Sequence, residues 1–297
     1  MNQIILSNSS LSVGIMPDLG ACLSFMRFQK GDRAVEILRE LNVEAQKLDV
    51  NNSALFPMVP FSNRIRGGSF VYFGITRKMD KNQSGLEDPI HGDGWKSPWR
   101  VVEQTPTKAV LQLEHDKAKG GFPFSYTALL TYTLKNASLV IDMEVLNPSA
   151  LPMPCGLGIH PFFKKHADTT VQFETRTVWA NESDPIFDKP YETPVAWDFK
   201  NPQKLTEDFD TCFGGFKGDV IIRTPSQGVQ VHMQSDPLFG HVVLYAPKYK
   251  RYVCIEPATN ANDAFNLAFR GVVGTGIQSI GPSQKLTGTI SLSVADL

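Results

Sequence analysis

Glu256 stands directly before Pro257 and His160 directly before Pro161, each closing an apolar run. Proline fixes its own φ near −65° and pushes the residue before it toward extended geometry. Each side chain is therefore expected at a strand end, pointing where its sheet points. A glutamate titrating near ~4.3 and a histidine near ~6.5 make a base and an acid for proton transfer close to neutral pH. Taken singly, each also fits a plainer role: a strand-end carboxylate facing water or an arginine, and an imidazole hydrogen-bonded inside an apolar strand.

Three other segments set polar residues among glycines, prolines and aromatics. In Phe56-Pro57-Met58-Val59-Pro60-Phe61-Ser62-Asn63-Arg64-Ile65-Arg66-Gly67-Gly68 the proline-stiffened apolar run can turn Arg64 inward, where its planar fork holds two hydroxyls or a carboxylate. Arg64 and Arg66 fit equally well as two surface charges. In Ile90-His91-Gly92-Asp93-Gly94-Trp95, with Trp99 close behind, the glycines let a ligand approach the backbone. In Glu207-Asp208-Phe209-Asp210-Thr211-Cys212-Phe213-Gly214-Gly215 the acids bind hydroxyls or cap a turn. His115, His166, His232 and His241 have no comparable setting and read as structural or surface residues. The spacing of His and Asp matches no metal-ligand pattern, so no metal is expected.

The elements that must position these groups are mostly short strands separated by Gly, Pro and Asn. Leu11–Ile15, Ala21–Phe28, Ser69–Phe73, Arg100–Gln104, Lys108–Glu114, Ser125–Leu134 and Ser138–Leu146 read as strands, the last two with the alternation of half-buried ones. Gly156–Phe163, Thr170–Phe173, Asp219–Arg223, Val229–Gln234, His241–Tyr245, Tyr252–Ile255, Gln278–Gly281 and Leu286–Val294 follow. Helical candidates are few: a short one at Val43–Leu48, and Asn262–Phe269 with Asn262 as N-cap and Asp263 in its first turn. The proline-rich interval 184–202 reads as a long loop. Many strands and few helices predict an all-β chain, a large antiparallel sandwich or barrel forming a single domain over residues 1–297.

Composition narrows the partners. A chain of 297 residues is long enough for a large core, and a formal charge of −1 with a pI near 6.6 gives no electrostatic case for nucleic acid or an anionic membrane. No apolar run approaches a membrane span, and the start Met1-Asn2-Gln3-Ile4-Ile5-Leu6 lacks a basic, long-apolar leader. Cys22, Cys155, Cys212 and Cys254 are too scattered for a disulfide frame or zinc site and read as reduced thiols, so a cytoplasmic location is expected.

Read in order, Asn63-Arg64-Ile65, His91-Gly92 with Trp95 and Trp99, Gly121-Phe122-Pro123, Gly158-Ile159-His160-Pro161-Phe162-Phe163, Asp210 with Phe213, and Glu256-Pro257 followed by Asp263-Ala264-Phe265-Asn266 resemble the aldose 1-epimerase (galactose mutarotase) family over nearly the whole chain. Each motif is loose; six in the right order are specific. The resemblance implies a two-layered antiparallel β-sandwich, or supersandwich, holding a monosaccharide in an open cleft, with Glu256 as catalytic base and His160 as acid. It implies that Arg64, His91 and Asp210 hold sugar hydroxyls, with Asn63 and Trp95 beside them, and that no cofactor or metal is needed. From residue type alone, Trp95 or Trp99 fits either a platform against the apolar face of a sugar ring or the commoner role of filling a core. The protein would work as a monomer or homodimer.

Two departures bear on the sugar. Asp93-Gly94-Trp95 after His91-Gly92 differs from the galactose-type run, and the His-Gly-Phe-Ala-Arg run of the hexose-6-phosphate branch is absent. A neutral sugar is favoured, while Arg66, Arg77 and Lys78 keep an acidic one open. Exchange of α and β anomers requires removing a proton from the C1 hydroxyl and giving one to the ring oxygen. The acid and base are expected to face each other across a gap the size of a hemiacetal. Two rivals share this cleft: a glycoside hydrolase using Glu256 with a second carboxyl, and a sugar-binding sensor without turnover.

Overall fold

The segments Tyr126–Lys135 and Lys285–Asp296 alternate buried and open side chains along most of their length, so each turns one face to the core and the other to water. The computed structural model describes residues 2–179, 190–206 and 208–297. Both segments belong to a nine-stranded antiparallel sheet, in the order Gln203–Lys204, Thr170–Phe173, Asp219–Thr224, Val229–Ser235, Lys285–Asp296, Ser138–Leu146, Tyr126–Lys135, Lys108–His115 and Arg100–Gln104. The larger, eleven-stranded sheet runs from Ile4–Ser7 through Leu11–Met16, Cys22–Lys30, Leu55–Met58, Gly158–Lys164, Tyr252–Ala258, His241–Ala246, Phe209–Gly214 and Thr177–Trp179 to Tyr191–Glu192, with Arg33–Glu36 alongside Cys22–Lys30. One apolar cluster, containing Leu55, Ile159, Ile255 and Leu244 of the larger sheet and Leu130, Ile141 and Ile290 of the smaller, fills the space between them.

The centre of the larger sheet does not alternate. Leu55–Met58 is buried at every position, as are the first six residues of Gly158–Lys164 and the last six of Tyr252–Ala258. Their second faces carry a separate apolar cluster that includes Met16, Phe56, Met58, Trp95, Phe162 and Cys254, packed beneath the loops on the side away from the main core. A strand covered on both faces reads as a continuous apolar run, which is why Leu55–Met58 gave no period-two signal.

Three expectations are corrected. Residues 43–47 form a turn and bends rather than a helix, because 42–47 are exposed and offer no apolar face to dock. The helix near the C-terminus is Ala264–Phe269, and Asn262 is not its cap; Asp263 flanks it with a left-handed φ of 51°. Neither Glu256 nor His160 sits at a strand end, since both strands run on through the following proline. Of the interval 184–202, residues 184–189 lie outside the described residues, while 190–202 contain the short strand Tyr191–Glu192 and a 3-10 turn at Val195–Trp197. Among the described residues no helix is long and apolar enough to cross a membrane.

Candidate active site

Antiparallel register lines side chains into rows across a sheet. Gly158 pairs with Ala258 and Phe162 with Cys254, so His160 and Glu256 fall directly opposite each other between those rungs. The rungs at 159–161 and 255–257 are missing from this ladder, where Pro161 and Pro257 sit. Phe56 lies opposite His160 on one side and Val243 opposite Glu256 on the other. The adjacent row runs Phe162, Cys254, Tyr245, Asp210. His160 Nε2 lies 3.1 Å from Glu256 Oε1, and both residues are more than nine-tenths buried. The pair is in direct contact, which corrects the expectation of a hemiacetal-sized gap between them.

His91 is set by its own backbone. Its N–H donates to the Asn63 carbonyl at 2.9 Å, and the Asn63 N–H donates back to His91 Nδ1 at 3.1 Å. With Nδ1 accepting, the proton of the neutral ring sits on Nε2, which is left as a donor. Burial, then the Arg64 charge, push His91 down to about 3, so it stays neutral. Gly92 follows with φ 68°, and a Cβ there would stand 2.1 Å from the Val59 carbonyl oxygen. Asp93 secures the loop from behind, accepting from Tyr126 Oη at 2.8 Å and Phe122 N at 3.1 Å, with His115 Nδ1 at 3.0 Å.

The chain just beyond the Glu256 strand clasps the Arg64 segment. Asn260 Nδ2 donates to the Ser62 carbonyl at 3.0 Å and its Oδ1 accepts from Ser62 N at 3.2 Å. Asn262 Oδ1 accepts from Arg64 N at 3.3 Å, and Asp263 Oδ1 from Arg66 N at 3.0 Å. Asp263 N donates to the Arg64 carbonyl at 3.0 Å. The Asp263 carboxylate thus serves this clasp and Asn266 Nδ2 instead of capping its helix.

A cavity of about 380 Å³ opens above these rows, and Asn63, Arg64, His91, Trp95, His160, Asp210 and Glu256 all border it. Trp95 reaches it only marginally: its ring is almost fully buried against Phe56 at 4.9 Å, and its Nε1 donates to the Gly92 and Ile90 carbonyls. Trp99 belongs to the main core and does not line the cavity. Arg66, Arg77 and Lys78 also lie outside it. The walls that sequence reasoning missed include Asn51, Gln83–Leu86, Val243, Tyr245 and Tyr252. Strand alternation marks Tyr252, and through the hairpin Val243 and Tyr245, as sharing the Glu256 face; residues 83–86 carry no comparable signal.

Burial is the main force on the charges. It raises the Glu256 carboxyl well above its usual range, with Asp210 adding to the rise. It drives His160 well below 6.5, with His91 and Arg39 helping. Both directions disfavour an ion pair before any ligand binds and leave one proton in the Glu256–His160 contact. The cleft walls raise Asp210, against the pull of Arg64. The ligating atoms of His91, His160 and Glu256 lie within 4.8 Å of one another, close enough to consider a metal ion. His91 fits that poorly, since Nδ1 accepts the Asn63 N–H and Nε2 carries the proton, leaving no lone pair to give. The same arrangement suits a hydroxyl, which takes an N–H from His91 and exchanges protons with the pair.

This geometry has relatives. Residues 2–280 match the aldose 1-epimerase family model. The uncharacterized protein YphB of Escherichia coli K12 is 25 % identical over 252 residues, 82 % of this chain and 84 % of that protein. A galactose mutarotase-like protein from Clostridium acetobutylicum superposes with a TM-score of 0.84 at 20 % identity, covering 99 % of this chain and 95 % of that one. The GalM/aldose epimerase homologue from C. elegans superposes with a TM-score of 0.83 at 16 % identity, covering 100 % and 99 %. The chain belongs to the aldose 1-epimerase family, and its fold is galactose mutarotase-like.

Proposed function

We propose that this protein is an aldose 1-epimerase that interconverts the α and β anomers of a free, neutral monosaccharide. The observation that carries this reading is the buried His160–Glu256 contact of 3.1 Å opening into a cavity that also presents Arg64, His91 and Asp210. Ring opening takes the proton from the C1 hydroxyl, makes C1=O, breaks the bond from C1 to the ring oxygen and puts a proton on that oxygen. Rotation about C1–C2 turns over the aldehyde face, and closure reverses the transfers. A carboxylate and imidazole sharing one proton suit both directions. Opening draws on the distribution with Glu256 ionised and His160 protonated, which burial makes the minor one before a sugar binds; the opposite distribution, reached when the ring has opened, closes it. Positioned transfers of this kind contribute about 10²–10⁴-fold, enough for a reaction that already proceeds in water.

A neutral sugar follows from the walls. Arg64 is the one Lys or Arg among the described lining residues, and Asp210 and Glu256 line the cavity with it. The cations that would favour an acidic sugar, Arg66, Arg77 and Lys78, lie elsewhere. Saturation-transfer NMR of anomeric protons across hexoses, pentoses, deoxysugars and sugar acids tests the proposal. Faster exchange for at least one neutral sugar supports it; binding without faster exchange points to a sensor, and release of aglycone from aryl glycosides to a hydrolase.

A further inference from the structure

His160 packs between aromatic rings that border the same cavity. His160 stacks on Phe162 with centroids 4.4 Å apart and planes 23° from parallel, and rests on Phe56 at 4.5 Å. The Arg39 guanidinium lies over Phe162, 3.4 Å from its centroid. Two groups centred on one ring at those distances cannot share a face, so Arg39 and His160 hold Phe162 between them. Arg39 is tied to backbone oxygens: Nε donates to the Ser53 carbonyl at 2.7 Å and Nη2 to the Asn51 carbonyl. Its own N–H donates to the Phe162 carbonyl at 2.9 Å. Among the described residues no ion pair joins Arg39 to a carboxylate, so its charge is not neutralised locally.

We propose that Arg39 is a positioning residue for the acid–base pair: it clamps Phe162 against His160, and its charge opposes protonation of the imidazole. The inference rests on the anomer-exchange reading of the site, but its test does not depend on it. The other titratable groups around His160 are Glu256 across the strand pair, His91 edge-on at 5.5 Å, Cys254 in the next row, and Arg64, Asp210, Tyr245 and Tyr252 on the remaining walls. Arg64 also carries positive charge, but it has Asp210 on the same cavity to oppose it. Burial keeps the Cys254 thiol raised and neutral. Arg39 therefore acts on the pair through a non-polar ring that excludes water from the space between them, where screening is weak.

The decisive comparison is wild type against R39Q and R39K. Glutamine keeps an amide donor for the backbone carbonyls without charge; lysine keeps the charge and loses the planar stack. Removing a nearby cation makes every protonated state of the pair easier to reach. In R39Q the His160 titration, followed by the imidazole Cε1–H signal in the sugar-free protein, moves up by about half a unit or more. Both limbs of the pH–rate profile for anomer exchange move the same way. In R39K the titration stays near wild type while turnover falls at nearly unchanged KM, because Phe162 is no longer clamped. A His160 titration in R39Q that superposes on wild type overturns the proposal, and so does an equal shift in R39K and R39Q. Should R39Q not fold, R39K against wild type still decides the clamp, and unchanged turnover in R39K overturns it. A wild-type protein that accelerates no sugar removes the functional reading while leaving the imidazole titration as a test of Arg39.

Discussion

His160 and Glu256 are cross-strand neighbours, directly opposed between the Gly158–Ala258 and Phe162–Cys254 rungs, and their side chains touch at 3.1 Å. The register of two strands therefore fixes the pair, and no loop has to close to bring them together. A slip of one residue would send one of the two into the inter-sheet core.

On the proposed function, replacing either member removes the shared proton path. E256Q and H160N are each expected to lower catalysed anomer exchange by about 10²–10⁴-fold while thermal unfolding stays near wild type. The double variant should be little worse than either single one, because the two act as a unit. Saturation-transfer rates measure all three, and multiplicative losses would mean separate roles.

Arg64 borders the cavity but lies outside the pair. R64A should raise KM about tenfold, the loss of one charge-assisted hydrogen bond, with a smaller change in kcat. Initial-rate polarimetry over a range of sugar concentration separates the two. A kcat effect larger than the KM effect would instead assign Arg64 to the transition state.

His91 makes stability depend on pH. Its folded value is pushed down to about 3 by burial, against an unfolded value near ~6.5. The unfolded chain thus binds the proton first, and the contribution is complete above ~6.5 and lost as pH falls toward 3, at up to about 1.4 kcal/mol per unit. H91N, whose asparagine tolerates the left-handed backbone at this position, should show a flatter fall in urea midpoint between pH 6 and 4. Parallel wild-type and variant curves would refute it.

Gly92 and Gly31 both have positive φ, but only Gly92 faces an obstacle: an added methyl would stand 2.1 Å from the Val59 oxygen, whereas one at Gly31 would meet nothing within 4 Å. G31A should cost about 1 kcal/mol for backbone conformation alone. G92A should cost clearly more and also weaken sugar binding, because the His91 loop must move off Val59. Urea denaturation with sugar titration distinguishes the two.

Much of this was legible in the residues. The prolines after His160 and Glu256 signalled extended backbone, and the alternation at Ser138–Leu146 marked a strand of the nine-stranded sheet. The same prolines misled about strand ends: Pro257 pairs with Val242 inside the sheet, a place where a missing N–H usually argues against a strand. Leu55–Met58 was missed because burial on both faces erases periodicity. Asn262 looked like a helix cap, but its side chain turns to Arg64, a contact 198 residues distant that no local pattern encodes. Trp95 had the right neighbours for a stacking platform; its position against Phe56 depends on how the loop folds over.

The clasp from Asn260, Asn262 and Asp263 to Ser62, Arg64 and Arg66 joins parts of the polypeptide made early and late. During synthesis the early segment emerges without its latch, and the hollow between them exists only after residues 260–263 have left the ribosome. On the proposed function, sugar binding becomes a readout of completed folding, and a fragment ending before residue 256 is expected to bind none.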